Sequence, residues 1–257
     1  MKKILIISGF LFSTAFLLTA CDKEIKLTAP VEMLDGNSPF LKVNYVSGYA
    51  SNPQVQILIN GQRVSNVITG RTPFPGGGYN TGGGSSNDYI PMKEGSSSLW
   101  VTIPKKGTNS DSIILVRDMI NLAPNTYYTA HITDTGSNSK VLLLIDDLTK
   151  PDTSLAKHRF VNLMPNVPAV DLYYGTTLVA SNIAYLTSSD YFTVSTYAPA
   201  LAWTVREAGA DPSTAALATY TSGNTILNQR VYTAFALGYK GRTDAPRKPY
   251  ISFLLNK

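Results

Sequence analysis

The sequence predicts an all-β protein: two tandem antiparallel Ig-like β-sandwich domains behind an N-terminal export signal. Three observations carry this. Short alternating runs rich in β-branched and aromatic residues recur from Phe40 to the C-terminus, the series of runs occurs twice in the same order, and the single cysteine, Cys21, closes the first hydrophobic stretch.

At the N-terminus, Lys2 and Lys3 precede an apolar run from Ile4 to Leu18 interrupted by Ser8, Gly9, Ser13 and Thr14. A basic start, a short apolar middle and small residues at a cut site make a removable secretory signal, because the run lacks the length and flank of a membrane span. The ending Leu17-Leu18-Thr19-Ala20-Cys21 resembles the lipobox of bacterial lipoproteins. That resemblance implies that residues 1–20 leave and that Cys21 becomes an acylated first residue held in a membrane by its lipid. Residues 21–39 then form the lipidated cysteine and a tether, with Pro30, Gly36 and Pro39 and little periodicity. Asp22-Lys23-Glu24 loosely resembles the charged surface-export signal of Bacteroides-type lipoproteins, so the expected location is the outer membrane, facing outward. With its only thiol acylated, the chain has no disulfide, redox pair or thiol nucleophile to draw on.

Composition narrows the rest. Hydrophobic residues make up 44% and charged residues 15%, enough apolar material for packed cores. The aromatic share leans on Tyr, 15 against 9 Phe and 2 Trp, which suits half-buried strand faces where the ring packs and the hydroxyl stays wet. The formal charge of +5 includes Lys2 and Lys3; without them Lys+Arg falls to 20 against 17 Asp+Glu, too small a balance to point to nucleic acid as a partner. The mature length fits two small domains.

From Phe40 the strands follow in turn. Leu41–Val46 and Val55–Ile59 alternate, and Asn60-Gly61 ends the second as a hairpin turn. Leu99–Ile103, Ser112–Val116, Tyr127–Ile132 and Val141–Ile145 continue the series, with no sustained helical stripe. A polar, proline-containing stretch from Asp146 to Ser154 marks a linker, dividing the chain into repeats at 40–150 and 151–257.

Six segments of the first repeat reappear in the second in the same order. Val43-Asn44 corresponds to Val161-Asn162, Val55–Gly61 to Val170–Gly175, and Val64–Val67 to Val179–Ile183. Ser86–Tyr89 corresponds to Ser188–Tyr191, Trp100 to Trp203, and Asn125–Ala130 to Asn228–Ala234. The second copy, with Arg159-Phe160-Val161-Asn162, Pro165, Pro168-Ala169-Val170-Asp171-Leu172-Tyr173 and Ser189-Asp190-Tyr191, resembles a family of tandem β-sandwich domains of unknown function in bacterial surface lipoproteins. The resemblance is weaker in the first copy, where Gln56 stands at the Asp171 position. It implies secretion or lipid anchoring and transfers no catalytic residue.

Candidate site residues divide into structural and contact groups. Asp88-Tyr89 and Asp190-Tyr191 recur in both copies; they invite a reading as ligand or metal contacts, but a scaffold role, with the serine before each acid capping the backbone and the Tyr packing on the core, is expected. Asp171, on an otherwise apolar strand, reads as either a buried, hydrogen-bonded acid or a member of an outward polar row; strand alternation sets it opposite Val170 and Leu172 and favours solvent. Trp100 and Trp203 are expected as core anchors. His131 and His158 have neither metal-ligand spacing nor a Gly-x-Ser-x-Gly partner, so neither a metal site nor a cofactor is expected. The segment Gly70–Ser86 has two glycine triplets and no counterpart in the second copy; it reads first as a flexible surface insertion and, alternatively, through Arg71, Phe74 and Tyr79, as a candidate ligand-contact loop on a rigid scaffold. A second distinctive loop, Tyr239–Tyr250, carries a basic cluster, of the kind that is usually just solvated; contact with an acidic glycan is the alternative. The sequence thus points to a non-enzymatic surface lipoprotein for binding or adhesion to a glycan or protein ligand. A structural subunit of an envelope assembly is the alternative and a secreted hydrolase the third reading.

Overall fold

A computed structural model describes residues 36–68, 89–105, 111–197 and 199–257. The first repeat runs β1 (Phe40–Tyr45), β2 (Gln56–Ile59), β3 (Gln62–Arg63), β4 (Ile90–Pro91), β5 (Gly95–Pro104), β6 (Asp111–Leu122), β7 (Tyr127–Thr133) and β8 (Lys140–Ile145). The second repeats the series as β9 (Leu155–Leu163), β10 (Ala169–Tyr174), β11 (Thr177–Ala184), β12 (Phe192–Ser195), β13 (Trp203–Glu207), β14 (Ala218–Tyr220), β15 (Val231–Leu237) and β16 (Tyr250–Leu255). Apart from two single 3-10 turns, these residues form strands and their connections.

Each repeat folds into two four-stranded sheets, β4-β1-β7-β8 over β3-β2-β5-β6 in the first and β12-β9-β15-β16 over β11-β10-β13-β14 in the second. Every strand thus has its counterpart eight elements later. The fold is all-β, two sandwiches in tandem. Its pairings are antiparallel except one ladder per copy, where β1 runs parallel to β7 and β9 to β15. Local chemistry places the hairpin joining β2 to β3: Asn60 and Gly61 both have positive φ, 50° and 77°, the twist a two-residue turn needs between right-twisted strands.

Alternation fills each sandwich. Leu41, Val43 and Tyr45 of β1 meet Ile57, Leu99, Val101, Ala130 and Ile132 in the first core. Phe160, Val170, Leu172, Trp203, Tyr232, Ala234 and Phe253 build the second. A third cluster joins the copies, with Val46 against Val161, Leu163, Phe235, Leu237 and Leu254, and Leu142 and Leu144 packed on it. The β1/β7 and β9/β15 sheets therefore lie face to face, and the two sandwiches stack as four layers. This is why β9 and β15 are buried almost throughout instead of at alternate positions: both of their faces are covered.

The stacking corrects two expectations. The expected linker begins inside the structure, for Asp146 is buried between the copies rather than solvated. Two of the six repeat matches are also displaced by one residue. Val43 and Phe160 both face a core, opposite Ala130 and Ala234, whereas Val161 faces the interface. Likewise Trp203 opposes Tyr174 where Leu99 opposes Ile59, so Leu99, not Trp100, is its counterpart. A one-residue slip in a strand turns a side chain to the opposite face.

Candidate functional site

The interface between the copies is polar at its centre and nearly symmetric. Lys42 and Arg159 are counterparts, facing Thr129 and Thr233 respectively. Lys42 Nζ donates to the carbonyl of Leu255, and Arg159 Nη1 donates to the carbonyl of Ile145, the position matching Leu255. Arg159 also pairs with Asp146, whose Oδ2 accepts from Thr129 and Tyr89; at the matching position, Asn256 Oδ1 accepts from Thr233 and Asn256 Nδ2 donates to Tyr89. Near the middle, His131 meets its own counterpart Phe235 at 6.0 Å. A residue contacting its equivalent is what a two-fold, self-complementary interface places on its axis.

Tyr89 and Tyr191 are part of this interface. The Tyr89 ring lies 4.3 Å from Lys42 Nζ, and the Tyr191 ring lies 4.6 Å from Lys157 Nζ and 5.4 Å from the Arg159 guanidinium. Burial raises the pKa of both phenols, with Asp146 adding to the effect at Tyr89. Asp190 is exposed, and Ser189 before it accepts from the Phe160 amide and donates to the Asp190 carbonyl. Cys21, Arg71, Phe74, Tyr79 and Asp88 lie outside the described residues, as do the signal and the glycine triplets.

The structure corrects the solvent-facing placement of Asp171, which is 4% exposed: Oδ1 accepts from the Asn182 amide at 2.6 Å and Oδ2 from the Gly209 amide at 2.9 Å. Its strand neighbours are core residues, but the bends at Asn182 and Gly209 fold over it and supply two main-chain donors. Trp203 is a core anchor with no exposure, its Nε1 donating to Thr225 Oγ1. Trp100 is half-buried on the other face of its sheet, beneath Arg117 at 4.2 Å.

Both histidines are sealed inside. His158 has no exposure, donates from Nε2 to the Thr225 carbonyl, and stacks with Tyr232 and Phe192. Burial lowers its pKa to about 4, partly opposed by main-chain carbonyls. His131 sits between the copies with Nδ1 at 2.9 Å from Asn44 Nδ2; burial and the Arg159 and Lys42 charges hold its pKa well below the ordinary range. Among the described residues no group of three or more His, Cys, Asp or Glu is placed to hold a metal, and no helix is long and apolar enough to cross a membrane.

Aromatic and basic side chains gather at one end of the interface. A cleft of about 210 Å³ is lined by Gly48, Tyr49, Ala50 and Thr135 of the first copy and by Tyr239, Arg242 and Arg247 of the second. Tyr49 Oη accepts from the Gly136 amide at 2.8 Å, and Tyr239 Oη donates to Asp134 Oδ1 at 2.9 Å, fixing both rings. The basic loop is built rather than merely solvated. Asn166 and Lys240 exchange two hydrogen bonds of 2.9 Å, Lys240 pairs with Glu207, and Arg247 Nε donates to Asp244 Oδ2 at 2.8 Å. Gly238, at φ 95°, lets the chain turn where a Cβ would lie 2.2 Å from the Lys248 carbonyl oxygen. A larger hollow of about 550 Å³ lies over Asp171, Tyr173 and Gly209, but both oxygens of its one acid are already engaged by main-chain amides. The basic loop was legible in the sequence. Tyr49 was not, for it sits in an unpatterned loop after β1 and joins the cleft only through the packing of the copies.

Repeated eight-strand sandwiches packed through matching sheets define a tandem β-domain protein. The family described as "Domain of unknown function (DUF4397)" matches residues 42–173 and again 156–247, and the chain belongs to it. The first match runs on through most of β10 of the second copy. No curated protein matches the sequence. Among solved structures, a leucine-rich repeat protein from Bacteroides thetaiotaomicron is 10% identical, with 77% of this chain and 25% of that one covered and a TM-score of 0.21. This chain thus spans about a quarter of that protein. Family 41 carbohydrate-binding modules from streptococcal virulence factors, described for alpha-glucan recognition, are 12% identical over 84% and 97%, TM-score 0.22. A candidate cell adhesion protein from Bacteroides ovatus is 11% identical over 87% and 97%, TM-score 0.19.

Proposed function

We propose that this chain is a lipid-anchored recognition protein of the bacterial cell envelope, exposed at the outer membrane through acylated Cys21, that binds a ligand without transforming it. The observation that carries the reading is the cleft to which both copies contribute, with Tyr49 and Tyr239 as fixed rings and Arg242 and Arg247 as polar contacts. Rigid aromatic anchors beside adaptable polar groups are the usual composition of a binding surface. The burial of both imidazoles and the structural engagement of Asp146 and Asp171 weigh against a hydrolase. A glycan and matrix-protein array with the soluble chain from Asp22 onward tests this reading. Binding that is lost in Tyr239→Ala and Tyr49→Ala, with thermal stability retained, is the expected result; a ligand indifferent to both substitutions would overturn the cleft. Labelled fatty acid incorporated into the wild type and absent from Cys21→Ala tests the anchor.

One observation favours the second reading, a subunit of an envelope assembly. The twelve-residue β6 forms an edge of its sheet and exposes Ile113, Ile114 and Met119, an edge that another chain could extend. A stoichiometric partner crosslinked at β6 would support it.

A further inference from the structure

We infer that the cleft between Tyr49 and Tyr239 takes an anionic saccharide, one sugar ring bearing a carboxylate or sulfate group; this rests on the recognition reading above. Size sets the first limit. At about 210 Å³ the cleft falls below the roughly 300 Å³ at which drug-sized sites begin, leaving room for a single ring. The walls set the second. Tyr49 and Tyr239 both have their hydroxyls engaged by protein groups, so each ring is held in one orientation, and aromatic faces suit the C–H face of a sugar.

Charge sets the third limit. The loop from Tyr239 to Tyr250 carries Lys240, Arg242, Arg247 and Lys248 against one acid, Asp244. Lys240 is paired with Glu207 and Lys248 lies 5.1 Å over the Tyr250 ring, so the cations that line the cleft are the two arginines. Arg242 is exposed, and the bond from Arg247 Nε to Asp244 steadies that guanidinium. A guanidinium offers several N–H groups in one plane, the geometry that matches two oxygens of an anion. The neighbouring carboxylate, Asp134, already accepts at Oδ1 from Tyr239 Oη and from the Thr135 amide. The first copy supplies Tyr49 and the second supplies Tyr239 and both arginines, so the complete site requires both copies.

Titration calorimetry of the full-length chain with hyaluronan oligosaccharides, dextran sulfate and neutral dextran tests the assignment. One of the anionic probes should bind and neutral dextran should not, with affinity falling as salt is raised from about 0.05 to 0.5 M. Arg242→Gln should weaken binding about tenfold or more, the scale of one lost charge-assisted contact. Lys150→Gln, which removes the same charge at an exposed position outside the cleft, should leave it unchanged; equal loss in both variants would mean unspecific attraction and overturn the inference. Hyaluronan and dextran sulfate separate the carboxylate from the sulfate source. Neutral dextran bound in a manner lost in Tyr239→Ala but indifferent to Arg242→Gln overturns the anionic assignment and leaves the cleft reading standing. Failure of all three probes, beside an array ligand indifferent to Tyr239→Ala, overturns both.

Discussion

Arg159 and Asp146 form a buried ion pair between the copies, their side chains 4% and 0% exposed. The acid follows β8 of the first copy and the base lies in β9 of the second, so the pair closes the connection between the repeats from inside. Asp146 also accepts from Tyr89 and Thr129, and Arg159 donates to the Ile145 carbonyl and to Thr233.

Asp146→Ala leaves the guanidinium and two hydroxyls buried without their acceptor and should cost about 3–5 kcal/mol, the usual penalty for breaking one side of a buried pair. The double variant Asp146→Leu with Arg159→Met should recover much of that loss. Urea unfolding followed by fluorescence measures both. Because the interface is packed like a core, the wild type should unfold in one transition, and two resolved transitions would show that the copies are energetically independent.

Acid should destabilise the fold between pH 6.5 and 4. His158 is neutral when folded because burial lowers its pKa to about 4, whereas the unfolded chain takes up the proton near 6.5. The unfolded state therefore binds more protons in that window, so stability rises with pH through it and falls as pH drops. The full penalty is about 3 kcal/mol for His158, and His131 acts in the same direction. His158→Phe should flatten the slope of urea midpoint against pH; an unchanged slope would refute the assignment.

The two tryptophans should differ sharply. Trp203→Ala empties a fully buried site and leaves Thr225 without its indole donor, a loss of about 3–5 kcal/mol. Trp100→Ala removes a half-buried ring beneath Arg117 and should cost less than half as much. Thermal midpoints compare them.

Gly238→Ala should destabilise by about 1–3 kcal/mol, since a Cβ there meets the Lys248 carbonyl oxygen in a left-handed backbone. The carbonyl belongs to the loop that carries Arg247, so ligand affinity should fall along with the melting temperature. Loss of stability with intact affinity would separate the loop from the cleft.

The sequence reached the all-β class, the doubled series and the Asn60-Gly61 hairpin because these rest on local chemistry, alternation with period two and turn residues with positive φ. It misjudged Trp100 and Val161 because repeats aligned by residue type can slip one position without any local signal, while the strand pairing fixes the face. Asp171 was misplaced for a related reason: alternation gives direction along a strand but not what folds over it. Tyr49 and the Arg159–Asp146 pair depend on contacts between segments distant in sequence or on opposite sides of the connection. By itself, then, the sequence determined the strands and their repetition. Only the tertiary structure decided that the two sandwiches stack through matching sheets, because burying a second face of β7, β9 and β15 depends on complementary shape and on paired polar groups from both copies, and the same stacking creates the cleft.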